Sequence, residues 1–120
     1  MDHKATLAST KAGRRFMGFM AVVNSGDAER IRDAVHTSIG EEALNAHGPE
    51  IWTAQLQYIH AMSGGLRVMQ VVASEELRVV VMMQAHKNQR LHIIDLAVEE
   101  EYPYRIARFI QRLAQSGGEG

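Results

Sequence analysis

One carboxylate stands out in this sequence because it lies within an apolar stretch. Asp95 has two apolar residues on either side, and an unpaired carboxylate is costly to bury. A partly desolvated aspartate has a raised pKa and can act as a general base, while a tyrosine hydroxyl donates to a developing enolate oxygen. The residue types therefore permit isomerase, cyclase or dehydratase chemistry, with Asp95 as the base and Tyr58 or His60 in support.

The same carboxylate also has a structural interpretation. In a strand, Asp95 shares its face with Ala97 and Glu99, and it can pair there with Arg78 or Lys87 across a hairpin. A catalytic aspartate needs converging partner groups, and the spacing guarantees none. We therefore favour the structural interpretation and a non-catalytic domain, and keep the enzyme as the alternative.

Other catalytic signatures are missing from the sequence. It contains no cysteine, no G-x-S-x-G elbow, no S-x-x-K and no phosphate-binding glycine loop. The histidines lack the spacing of metal ligands, and we expect neither a metal nor a cofactor. They are scattered along the whole chain, at His3, His36, His47, His60, His86 and His92.

The composition is that of one ordinary soluble domain. The chain has 120 residues, of which 46% are apolar and 22% charged, with a net charge of -1. We expect a single domain over residues 1–115 and a disordered tail over 116–120. A nucleic-acid partner is not expected, because the basic residues form no broad patch.

A basic segment precedes an apolar one near the start of the chain. Arg14 and Arg15 are followed by eight residues, 16–23, as in a twin-arginine export signal. No A-x-A-like cleavage site follows, however, and the apolar residues recur with helical spacing. We therefore predict two helices that meet at a corner, with Asp27 capping the second, and a cytoplasmic protein. No apolar run reaches the ~18 residues of a membrane helix, so no membrane partner is expected.

The rest of the chain changes from helical to extended patterns. Pro49 suits the first turn of a further helix, which Gly64 and Gly65 end. Strands rich in β-branched residues follow, over 66–74, 76–85 and 91–100. The last element, from Tyr104 onward, fits a helix better than a strand by pattern alone. The sequence therefore predicts an α+β fold with helices packed on one face of an antiparallel sheet.

Two of the strands are apolar on both faces, although a sheet with one wet face should alternate. The outer face therefore needs cover, and a second copy of the chain is the simplest cover. A strongly curved sheet that wraps its own helices is the alternative. We therefore predict a homodimer. Val80 and Met82, on the other face of the same strand, are the alternative dimer residues. The predicted dimer face consists of Val79, Val81, Met83 and Ile93.

The order of several short motifs resembles a known group of small domains. The motifs are Asn24-Ser25-Gly26-Asp27 at the helix corner, Gly64-Gly65-Leu66 at the first strand, and Pro103-Tyr104-Arg105-Ile106 before the last element. In bacterial proteins such domains precede serine hydrolases of the beta-lactamase type and peptidases of the tricorn type. They are similar to the nuclear-transport-factor-2-like superfamily, which includes ketosteroid-isomerase-like, polyketide-cyclase-like and SnoaL-like domains. The resemblance spans about residues 10 to 112.

This resemblance implies a cone of helices closed by a curved sheet, and it makes residues 104–110 a strand. Such cones commonly hold a pocket for a small apolar ligand. The resemblance also implies a separate hydrolase as a possible partner, because no hydrolase follows in this sequence. It carries no catalytic role, since the matching residues turn corners and enter strands. The residues expected to line the pocket are Trp52, Tyr58, His60 and His92.

Overall fold

The computed structural model describes residues 2–114, which form helices followed by an antiparallel sheet. This order confirms the predicted α+β class. The predicted tail lies outside the described residues. The elements are α1 His3–Ala8, α2 Lys11–Ser25, α3 Ala28–Ser38, α4 Glu41–His47, α5 Pro49–Ser63, β1 Leu66–Glu75, β2 Arg78–Ala85, β3 Leu91–Val98 and β4 Ile106–Leu113.

The corner between α2 and α3 is built as predicted. Gly26 ends α2 with φ at 68°, a left-handed conformation that glycine adopts without a Cβ penalty. The carboxylate of Asp27 then accepts hydrogen bonds from the backbone N–H groups of Glu29 and Arg30, which caps α3. Residues 16–23 lie within α2, and their apolar stripe is buried.

The four strands form one antiparallel meander in the order β1-β2-β3-β4. β4 is a strand, as the resemblance implied. The residue pattern alone had predicted a helix, which is wrong. Ile106 is fully buried there, pairs with Val98 and forms a parallel bridge with Ile39. These hydrogen bonds to other elements outweigh the local helical preference of the segment.

The helices cover one face of the sheet, here called the inner face. Side chains of β2 and β3 alternate strictly between buried and half-buried positions. Val79, Val81 and Met83 lie on the inner face and are at most 2% exposed, which corrects their assignment to a dimer face. These three residues are part of the core beneath α2, whereas Ile93 points to the opposite, outer face.

Candidate functional site

A cavity of about 400 Å³ lies between α5 and β4. Leu56 and Ile59 of α5 are buried along it, and Phe109 of β4 packs edge-on against Phe19 of α2, with 5.6 Å between the ring centroids. Trp52 is fixed at the beginning of α5, because its indole N–H donates to the carbonyl of Ala43 at 3.0 Å. The lining is Trp52, Ala54, Gln55, Leu56, Tyr58, Ile59, Phe109 and Gln111.

Gln111, a polar residue of this lining, is fixed by a hydrogen bond to a buried histidine. The Nε2 atom of Gln111 lies 2.7 Å from Nδ1 of His92, whose side chain is 1% exposed. Burial, aided by the charge of Arg90, lowers the pKa of His92, so the ring is neutral at pH 7. The amide donates to the neutral ring, and the carbonyl oxygen of Gln111 remains as an acceptor in a lining whose other polar side chains are Gln55 and Tyr58.

The structure brings together part of the predicted pocket. Trp52 and Tyr58 line the cavity, and His92 lies behind it through Gln111. His60 is elsewhere, because its ring packs against Gly26 at the corner between α2 and α3. Its Nδ1 atom is buried there and has no hydrogen-bond partner among the described residues.

Asp95 lies on the outer face of the sheet, away from the cavity. Its two oxygens accept from Arg78 at 3.1 and 2.9 Å, and one of them also accepts from Arg108 at 3.2 Å. The predicted pairing with Arg78 is therefore confirmed, whereas Lys87 donates instead to the carbonyl of Ala61. These arginines, Arg78 first, hold the pKa of Asp95 below its usual value despite partial burial.

A general base would require the opposite shift of that pKa. The sheet also stands between Asp95 and α5, which carries Tyr58 and His60. The three residues of the enzyme hypothesis are thus not brought together. The arrangement on the inner face can bind and orient a molecule through apolar contacts, the amides of Gln55 and Gln111 and the hydroxyl of Tyr58, and within residues 2–114 no carboxylate or basic side chain lines the cavity.

Two further findings concern the described residues alone. Within residues 2–114, no group of three or more His, Cys, Asp or Glu side chains converges as metal ligands would. Over the same residues, every helix is too short or too polar to cross a membrane.

The sequence did not reveal the contribution of β4 to the cavity. Phe109 and Gln111 belong to the segment whose spacing resembled a helix. Two residues apart, they share one face in a strand but not in a helix. In a strand, Phe109 and Gln111 lie on the same face. They pair there with Leu96 and Ile94 of β3, which are buried.

No family model, curated protein or solved structure matches this chain.

Proposed function

We propose that this chain is a non-catalytic domain that binds a small, largely apolar molecule in the cavity between α5 and β4. The observation that carries the proposal is the composition of the lining, in which Trp52, Leu56, Ile59 and Phe109 surround one anchored amide, Gln111. Small-molecule sites are mostly apolar with a few fixed polar groups, and their volumes run from about 300 to 1,000 Å³. The volume of about 400 Å³ falls in that range.

The tryptophan supplies the test. Trp52 is the only tryptophan of the chain and lines the cavity. N-phenyl-1-naphthylamine is a neutral, apolar fluorophore that carries one N–H donor and accepts energy from tryptophan. Titration with this probe should give saturable energy transfer from Trp52 with one site per chain.

A matched pair of variants separates the cavity from the surface. Tyr58→Arg places a charge at the cavity, while Ile51→Arg places the same charge on an exposed position of α5 outside the lining. Tyr58→Arg should weaken probe binding by about tenfold, because the probe would then approach a charge that must lose water. Equal affinities in the two variants, or no saturable transfer in the unmodified chain, would reject the cavity as the binding site.

The outer face of the sheet supports a second function, self-association. Its apolar side chains are covered by no helix of the described chain. The face spans four strands and about eight residues along each, or about 19 by 26 Å at standard strand spacing. This is a flat footprint of about 500 Å², smaller than the about 800 Å² per partner of a standard stable interface. Its apolar members include Ala73, Val80, Met82, Leu91, Ile93, Ala97 and Ile110.

We propose a second copy of this chain as the occupant. The charge of Asp95 is already compensated within its own chain by Arg78 and Arg108, so a partner need not supply an opposite charge there. A two-fold arrangement lets the same apolar patch cover itself. This surface differs from the predicted one in parity, since Val80 and Met82 replace Val81 and Met83.

Sedimentation of a Val80→Glu and Met82→Glu double variant tests this second function. The unmodified chain should sediment as a dimer and the double variant as a folded monomer, because two buried carboxylates would lose their water without gaining partners. Ile51→Glu, on the helical side, should remain dimeric. A monomeric unmodified chain, or an unchanged dimer in the double variant, would contradict the proposed interface.

A further inference from the structure

A second concave surface lies where α2 meets the connection between β3 and β4, apart from the α5–β4 cavity. It is a groove of about 560 Å³. Its lining includes the basic segment at the beginning of α2 and, within residues 2–114, no carboxylate. We call it the basic groove, and its defining residues are Lys11, Arg14, Arg15, Gly18, Tyr102 and Tyr104.

The positive charges of the groove are only partly compensated. Arg15 donates to the backbone carbonyls of Tyr104 and Pro103, at 3.1 and 2.6 Å, and Arg14 donates to that of Ala8. These acceptors are neutral, and within residues 2–114 neither arginine forms a salt bridge. Only Lys11 has a carboxylate, that of Glu76 at 2.9 Å.

The charge of Arg15 is also partly removed from water. Its burial, together with the neighbouring charge of Arg105, lowers the pKa of Arg15. An anion in the groove would relieve this uncompensated positive charge. Three cations against one carboxylate suit a doubly charged anion better than a singly charged one, and guanidinium groups match the geometry of phosphate oxygens.

The rim of the groove offers an aromatic surface. The side chain of Tyr102 is 85% exposed, and its ring meets that of Tyr104 edge to face at 6.0 Å. Tyr104 adopts φ at 59°, an uncommon conformation for a residue with a Cβ, and Arg15 binds its carbonyl. An exposed ring on a loop held in this way can stack on the planar ring of a ligand.

The floor of the groove includes a glycine without a packing reason. Gly18 lies inside α2 and is exposed, and a Cβ added there would meet no atom of residues 2–114 within 4 Å. Glycine inside a helix is less stable than alanine. Its benefit here is a flat helix surface that a ligand can approach closely.

We propose that the basic groove binds a small molecule that carries both a planar aromatic ring and a phosphate group, as a nucleoside monophosphate does. The phosphate lies against Arg14 and Arg15, which form no salt bridge within residues 2–114, and the ring lies on Tyr102. Arg15 also holds the loop that presents the two tyrosines. This site is independent of the function proposed for the α5–β4 cavity.

Isothermal titration calorimetry at low ionic strength tests the proposal, with adenosine 5′-monophosphate as the probe. The probe should bind with a dissociation constant below about 1 mM, and adenosine or inorganic phosphate alone should bind at least about tenfold more weakly, since each has only half of the contacts. Failure of the nucleotide to bind, or equal affinity for nucleotide and inorganic phosphate, would overturn it.

Two matched pairs of variants locate the site. Arg14→Gln should weaken nucleotide binding by about tenfold, whereas Arg32→Gln, an exposed position on α3 outside the groove, should not. Gly18→Leu should abolish binding while the chain stays folded, since leucine favours a helix. Ala21→Leu, exposed on the same helix, should bind normally. Unchanged affinity in Arg14→Gln and Gly18→Leu would place the nucleotide elsewhere and overturn the assignment.

Discussion

The buried ring of His92 on β3 lies 2.7 Å from the side-chain amide of Gln111 on β4. This pair connects the core with the cavity, because His92 is 1% exposed and Gln111 is part of the cavity lining. A buried polar ring is tolerated when its hydrogen bonds are made. The pair therefore explains both why a histidine fits into this core and why the amide has a fixed direction.

Replacing Gln111 by leucine should lower the free energy of unfolding by about 1 to 2 kcal/mol, because Nδ1 of His92 would stay buried without a partner. Adding His92→Leu to that variant should recover part of the loss, since an apolar pair of similar size needs no hydrogen bond. Urea denaturation of the two single variants and the double variant measures the coupling between them. Strictly additive losses would mean that the two side chains do not interact.

The pH dependence of stability should also show the burial of His92. Its pKa is lowered from 6.5, mainly by burial, so the unfolded chain binds a proton first as the pH falls. The free energy of unfolding therefore decreases below about pH 6.5 and stops decreasing through this group once the folded ring is protonated. Asp95 and Glu76 also have lowered pKa values, from 3.8 and 4.5, and their contributions are lost at lower pH.

Urea denaturation between pH 5 and pH 7 measures this effect. His92→Leu should remove the decrease that belongs to this residue. His86→Leu, at an exposed position in the β2–β3 turn, should keep it. An identical slope in the unmodified chain and in His92→Leu would show that this ring does not cause the decrease.

Local signals made the helices and their corner predictable. The cap of Asp27 and the left-handed Gly26 depend on neighbours within a few residues. Which face of β2 is buried was not predictable in this way, because Val80 and Met82 are as apolar as Val81 and Met83. Only the packing of α2 on the sheet decides which set is buried.

The same limit applied to the cavity and to the last strand. Trp52 and Tyr58 were predicted as pocket residues on a helix whose start and stop residues are clear, but the same prediction included His60, which lies at the α2–α3 corner, and omitted Leu56 and Ile59. Gln111 was missed, because pairing with β3 decides its face and that pairing joins residues distant in sequence. α1 was not predicted either, although Asp2 caps it through the N–H of Ala5.

Replacing Asp95 by asparagine should leave the fold intact and cause only a small loss of stability at pH 7. The reason is that, in the single chain, the arginine side of both ion pairs, Arg78 and Arg108, is exposed to water, and such partly exposed pairs contribute little. Because the pKa of Asp95 is lowered in the folded chain, its contribution is present above 3.8 and is lost as the pH falls. The difference between the two proteins should therefore shrink from pH 7 to pH 3, as measured by thermal denaturation.

Asp33→Asn is the control for that substitution, because Asp33 is exposed on α3 and forms no salt bridge within the described residues. It should show no comparable pH-dependent difference. If the chain proved to have an isomerase activity that Asp95→Asn abolished without any change in stability, the carboxylate would be catalytic and the pairing interpretation would be wrong.

Two glycines of α2 should respond in opposite directions to the same change. Gly18→Ala should raise the free energy of unfolding by up to about 1 kcal/mol, because alanine favours a helix and its Cβ would meet no other atom. Gly13→Ala should lower it, because the added Cβ would overlap the backbone carbonyl of Leu7, where α1 packs on α2. Urea denaturation of both variants at one pH gives the comparison.

The contrast between these two positions bears on the basic groove. Glycine weakens a helix interior relative to alanine, as at Gly18, whereas Gly13, in the first turn of α2, makes a close contact with the backbone of Leu7. If Gly18→Ala stabilises the chain and also weakens binding of adenosine 5′-monophosphate, then glycine at this position lowers the stability of α2 and allows the nucleotide to approach the helix closely. If it stabilises the chain and leaves binding unchanged, Gly18 makes no close contact with the nucleotide, and the role given to this glycine in the groove is wrong.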